Sequence, residues 1–225
     1  MNETTKIEPA TRVSSRVSPA DASQQRLLGL FEGTKIATGN GWQAVETLKA
    51  GDTVWTFDDG LQPVLDIKHR RLWSEPAEAQ RLVPPLLVPA GALANEDDIF
   101  VMPSQGLLLE CENASDKLGD PYAVVPMLAL MGLCGIRAQV PENGLELFLL
   151  RFGEEQAVYI DGGLLFHVPV FNVTTSGTAQ NASKRYDVKT IKQTKELLTD
   201  LDLAELALRE PYEDFFGATS VASTG

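Results

Sequence analysis

EGTKIATGNGWQAVETLKAGDTVWTFDDG, residues 32–60, sets short strand-like runs among turn signals. Thr34-Lys35-Ile36-Ala37-Thr38 alternates apolar and polar residues, the period of a half-buried strand. Gly39-Asn40-Gly41 supplies the positive φ of a tight turn, and Trp42 to Val45 reads as the returning strand. Val45-Glu46-Thr47-Leu48 leads to a second turn at Ala50-Gly51-Asp52. Thr53-Val54-Trp55-Thr56-Phe57 is the next strand. Asp58-Asp59-Gly60 turns it into Gln62-Pro63-Val64-Leu65-Asp66-Ile67.

Working outward, the same punctuation continues. Leu86 to Pro89, Ile99 to Met102, Leu107 to Cys111, Leu145 to Phe152 and Ala157 to Ile160 are further strand candidates. Many short strands at close spacing argue a mainly β fold. Tyr122 to Ile136 is uncharged, but Pro126, Gly132 and Gly135 interrupt it, and it is short for a membrane span. It reads as buried core. Residues 1–17 are polar and rich in Ser, Thr and Pro, the composition of a disordered arm. Ser18-Pro19-Ala20-Asp21 is a helix start, so residues 18–28 read as a short helix stopped by Gly29. The β-domain spans 29–169 and a polar linker 170–183. Residues 184–225 read as a helical extension with a polar tail. In it Val188, Ile191, Leu198, Leu201 and Leu208 share a helical face. Ile191, Leu198, Leu201, Phe215 and Phe216 are the candidate docking residues for a protein partner or larger assembly.

Composition narrows the function. The 225 residues carry a formal net charge of −12. Between Phe31 and Gln180 there are 9 basic and 20 acidic residues. Such a body repels phosphate backbones, so nucleic acid is not an expected partner. Two histidines, His69 and His167, with no CxxC or HExxH spacing, leave little material for a zinc site, and no cofactor is expected. Neither a phosphate loop nor a Gly-x-Ser-x-Gly elbow is present. Cys111 and Cys134 both read as buried thiols. No charged-then-apolar leader is visible, so the expected location is cytoplasmic, or outside the cell without a cleavable signal peptide.

Several motifs then line up. Gly33-Thr34-Lys35-Ile36-Ala37-Thr38, Val45-Glu46-Thr47-Leu48-Lys49-Ala50-Gly51-Asp52-Thr53-Val54 and Gly60-Leu61-Gln62-Pro63-Val64 follow one another in that order. Pro89 to Leu93, Asp98 to Leu109, Val125 to Arg137 and Leu149 to Gly162 continue the series. Over roughly residues 29–169 the chain resembles a Hint (Hedgehog/intein) domain, most closely the bacterial Hint subfamily. That resemblance implies a horseshoe-shaped β-fold and a self-processing ancestry. In such domains a Cys or Ser at the first position attacks the preceding carbonyl, and a His in a middle strand assists. Counting four back from Gly33, the first position is Gly29, which has no side chain. The middle-strand His falls at Gln105, which cannot shuttle protons near neutral pH. Met102 stands where a small polar residue is typical, and Glu155 where the subfamily has another His. His167 lies near the domain end, where inteins place a His before a terminal Asn, but Val168 and Pro169 follow it. The resemblance therefore implies the fold and argues against the activity. The expected function is a catalytically inactive binding, structural or assembly module. Its rival is self-processing through a non-standard nucleophile such as Ser104 or Cys111.

Overall fold

The computed structural model describes residues 27–111, 119, 121–170 and 185–198. The helix expected over 18–28 lies outside these residues except for Leu27 and Leu28, which are not helical. Leu201, Phe215 and Phe216 also lie outside them.

The strands are Leu30–Phe31 (β1), Lys35–Thr38 (β2), Gly41–Ala44 (β3), Thr53–Thr56 (β4), Gly60–Pro63 (β5) and Asp66–Leu72 (β6). A short helix, Pro76–Arg81 (α1), precedes Leu86–Val88 (β7), Ile99–Val101 (β8), Gly106–Glu110 (β9), Tyr122–Pro126 (β10) and Arg137–Ala138 (β11). Leu145–Arg151 (β12), Gln156–Ile160 (β13), Leu164–Val168 (β14) and the helix Ile191–Leu198 (α2) complete the order. Two antiparallel sheets result. One runs β11-β7-β8-β1-β12-β6; the other runs β10-β9-β14-β13-β2-β4-β5, with β3 paired to β2.

The turns of residues 32–60 hold as the sequence suggests. Thr38 Oγ1 accepts from Asn40 N–H at 3.1 Å and donates to Gly41 O at 2.7 Å, which closes the β2–β3 turn. Asp52 Oδ2 accepts from Lys49 N–H at 2.8 Å, and Gly51 provides the positive φ between them. Glu46 Oε2 reaches back to Gly33 N–H at 2.9 Å, so the Val-Glu-Thr-Leu segment fastens the turn that follows β1.

The main core lies where the apolar faces of both sheets converge, with Leu30, Ile36, Val54, Val101, Leu107, Phe148, Val158 and Phe166 all buried. Strand alternation sends the next residue, Phe31, the other way. It joins a second cluster with Leu72, Trp73, Met102 and Leu147.

Four local expectations are corrected. The run after Gly60 divides into β5 and β6, and β6 reaches Leu72 rather than Ile67. Its residues Lys68 to Arg71 are exposed because β6 is a sheet edge, where charge blocks further pairing. Tyr122 to Ile136 is not continuous core. It splits into β10, a 3-10 turn at Met127–Leu130 and a loop in which Met131 is exposed. Cys134 in that loop is exposed at φ 46, not buried, because the tight turn between Leu130 and Ile136 turns outward there. Finally, Leu164–Val168, with no strand candidate in the sequence, is β14 and pairs along the whole of β13.

Ile36 is fully buried on β2. Ile36→Ala is expected to lower stability by roughly 2–5 kcal/mol in urea unfolding, the range for deleting a buried Ile side chain.

Candidate functional site

The first position of the β-body is Gly29, immediately before β1. β1 is threaded between β8 and β12, with Leu30 opposite both Val101 and Phe148. Gly29 adopts φ 141, a region that L side chains rarely occupy. A Cβ there would stand 2.6 Å from Phe148 O and 3.2 Å from Leu147 Cγ and Cδ1. The space that a side chain at this position would need is filled by the backbone of β12.

Gln105 faces this junction from the turn before β9. Its Oε1 accepts from Gly29 N–H at 3.1 Å, and its Nε2 donates to His167 O at 2.8 Å and Gly106 O at 3.1 Å. The side chain is buried with both ends satisfied. Breaking the Leu28–Gly29 amide would require a proton delivered to that nitrogen. Gln105 presents a lone pair to it instead. Ser104 Oγ donates to Leu27 O at 2.6 Å. The two neighbouring side chains thus grip the incoming backbone at both ends of Leu27–Leu28–Gly29.

Behind Gln105 lies His167 on β14. Its Nε2 is 2.7 Å from Glu155 Oε1, and both residues are only 7% exposed. Glu155 Oε2 accepts from Arg185 N–H at 3.1 Å. Gly106 lets β9 pass close to this pair. A Cβ there would meet Val124 Cγ1 at 2.5 Å and His167 Cβ at 3.1 Å.

Arg185 opens a short strap that crosses the outside of β10. Its guanidinium holds Asp59 with Nη1–Oδ2 at 2.7 Å and Nη2–Oδ1 at 3.3 Å, and reaches Asp58 at 3.5 Å. Gln156 Nε2 adds a 2.9 Å bond to Asp59 Oδ2. Arg185 first, and Gln156 second, hold the Asp59 carboxyl below its ordinary pKa. Tyr186 is buried among Leu108, Val124 and Ala157, sits edge-on to His167 at 5.5 Å, and donates its hydroxyl to Asp58. Burial, and then the hydrogen bond to Asp58, push its phenol well above its usual pKa. Val124 N–H donates to Asp187 O at 3.1 Å, and Lys189 N–H to Val124 O at 2.8 Å.

Of the sequence-derived positions, Gly29, Gln105 and Glu155 lie along one buried polar row, with His167 at its centre. Met102 does not join it, because its side chain packs in the second cluster with Phe31 and Trp73. Ile191 is 41% exposed on α2, whereas Leu198 packs against the main core. Arg185 and Tyr186 lie at the start of the segment that the sequence suggests as a helical extension, and they are not singled out there as site residues. Their one signal is a basic–aromatic pair, Lys184-Arg185-Tyr186, following an acidic body. Among the described residues no group of three His, Cys, Asp or Glu side chains is placed to hold a metal ion, and no helix is long and apolar enough to cross a membrane.

A protein-family model described as "Hint domain" matches residues 28–165. Solved structures similar to the chain include a bacterial intein-like domain from Clostridium thermocellum, at 15% identity and a TM-score of 0.41, covering 63% of this chain and 99% of that one. The gp41-1 intein is similar at 12% identity and 0.34, covering 62% and 98%. The MchDnaB-1 intein is similar at 13% identity and 0.34, covering 63% and 99%. No curated protein matches.

Two outcomes test this geometry. Gly29 and Gly33 both have positive φ, but only Gly29 meets a neighbour. Gly29→Ala is therefore expected to cost about 2 kcal/mol or more, and Gly33→Ala about 1 kcal/mol, in urea unfolding. The second concerns pH. A depressed Asp59 pKa contributes stability that is present above the ordinary carboxylate range and is lost as pH falls through the folded value. The melting temperature of wild type should exceed that of Asp59→Asn at pH 7, and the gap should close below about pH 4.

Proposed function

The chain belongs to the Hint domain family, and on that premise we propose that it is a catalytically inactive member, a rigid module for binding or assembly. The observation that carries this reading is the filled space at Gly29. The first position has no side chain, and Phe148 O stands 2.6 Å from where its Cβ would be. Gln105 supports it from the other side. It accepts from the amide nitrogen that an autoprocessing site would have to protonate. Both features favour holding the Leu28–Gly29 peptide intact. In this reading the module spans residues 29–169, with residues 1–28 leading into it and 184–225 leading out. Its partner is a protein or a larger assembly, and the acidic body disfavours nucleic acid. Of the two described residues of the docking set, Ile191 on α2 is the exposed one.

A second reading, self-cleavage through Ser104, draws on one contact, the 2.6 Å bond from Ser104 Oγ to Leu27 O. That bond places a hydroxyl beside a backbone carbonyl. It also spends the hydroxyl proton on the carbonyl oxygen, and its neighbour Gln105 is no base.

Intact-mass spectrometry of freshly made full chain separates the two. One species at 24.5 kDa is expected, stable over days at neutral pH. Two fragments meeting near residue 28 would overturn the inactive reading, and their loss in Ser104→Ala would establish the second.

A further inference from the structure

The strap and the surface beneath it are complementary in three separate ways. The first is charge. Arg185 sits in a fork made by Asp58 and Asp59, with Glu154 Oε2 at 3.9 Å from Nη2. The second is shape. Tyr186 fills a slot walled by Leu108, Val124 and Ala157, with its hydroxyl on Asp58 and His167 edge-on. The third is backbone. β10 ends the eight-stranded sheet, and its open edge is used at Val124. There N–H and C=O bond Asp187 and Lys189, and Val188 forms a parallel bridge. Glu155 Oε2 adds an acceptor for the Arg185 N–H. Addition of an extended segment to a sheet edge, with pockets for alternate side chains, is a general mode of peptide recognition. The strap lies beyond residue 165, where the family match ends.

We propose that this surface, formed by the Asp58–Asp59 turn, the tyrosine slot and the β10 edge, is a recognition site for an extended Arg-Tyr segment of a partner protein. The chain's own Arg185–Lys189 occupies it as a tethered pseudo-ligand. Charge complementarity selects the partner's chemistry. The groove offers Asp58, Asp59 and Glu154 to a cation, and a buried apolar slot to the adjoining aromatic. A tethered occupant competes at a high effective concentration, so a partner binds well only when the strap is loosened. The site is independent of any cleavage at Gly29. Failure here leaves the intact-mass result standing, and the reverse also holds.

The test uses the full chain carrying Arg185→Ala and Tyr186→Ala, which loosens the strap and leaves the groove whole. The probe is a fluorescent peptide with the sequence of residues 183–190, followed by anisotropy. It should bind this variant at least about tenfold more tightly than wild type. Adding Asp59→Ala, or replacing the peptide's Arg and Tyr by Ala, should remove that gain. A folded double variant that does not bind the peptide, or binds a scrambled peptide equally well, overturns the proposal. Should the double variant not fold, Arg185→Ala alone serves. The peptide is then expected to raise its melting temperature, and no rise counts against the site.

Discussion

The structure depends on the way β1 is held. Two residues, Leu30 and Phe31, lie between β8 and β12 in the middle of a six-stranded sheet. One side chain enters the main core and the other the second cluster, so this two-residue strand ties the two together. The approach to it must be as tight as the pairing itself, and Gly29 permits that. Its unusual φ and missing Cβ let the backbone lie against the Phe148 carbonyl. Gln105 then satisfies the half-buried Gly29 N–H.

From that point a continuous polar row crosses the molecule. Gln105 bonds the His167 carbonyl, His167 pairs with Glu155, and Glu155 takes the Arg185 N–H. The segment leading into the body and the strap leading out of it are thus fastened to one buried network. Buried polar networks whose members are satisfied rigidify a structure and fix one arrangement of it. Here the row joins one sheet to the segments on both sides of the body, with buried polar side chains held firmly and aimed at backbone.

Much of this was legible in the sequence, for identifiable reasons. The turns over residues 32–60 rest on local chemistry, such as Asp52 bonding Lys49 N–H three residues back, and local chemistry is what a sequence displays. The motif spacing also singles out Gly29 and Gln105, which the structure joins by a hydrogen bond. What stayed hidden is long-range. Nothing near residue 102 says that Met102 turns towards Trp73 and away from Gln105. His167 looked idle in the sequence because its partners are a carboxylate 12 residues earlier and a glutamine 62 residues earlier. β14 was missed because its run is short and follows Gly162-Gly163. β6 was cut short because its exposed Lys68 to Arg71 give no alternation, being on an edge. Cys134 was misplaced because its apolar neighbours suggested burial, while the glycines around it turned the loop outwards.

The pairing of β1 also has a consequence in time. Leu30 meets Phe148, a separation of 148 − 30 = 118 residues. Of the described strands, a ribosome makes β1 first and β12 last but two. At about 5–20 residues per second, β1 waits roughly 6–24 s for β12 to be made. During that interval the β2–β5 hairpins can form from their own turns, and β1 can pair on its β8 side once Val101 is made, while its β12 side stays open. Closure of the six-stranded sheet is therefore a late event, set by the rate of synthesis and by the large loop that must close. A chaperone meeting this nascent chain would find its exposed greasy pair at the very start of the domain.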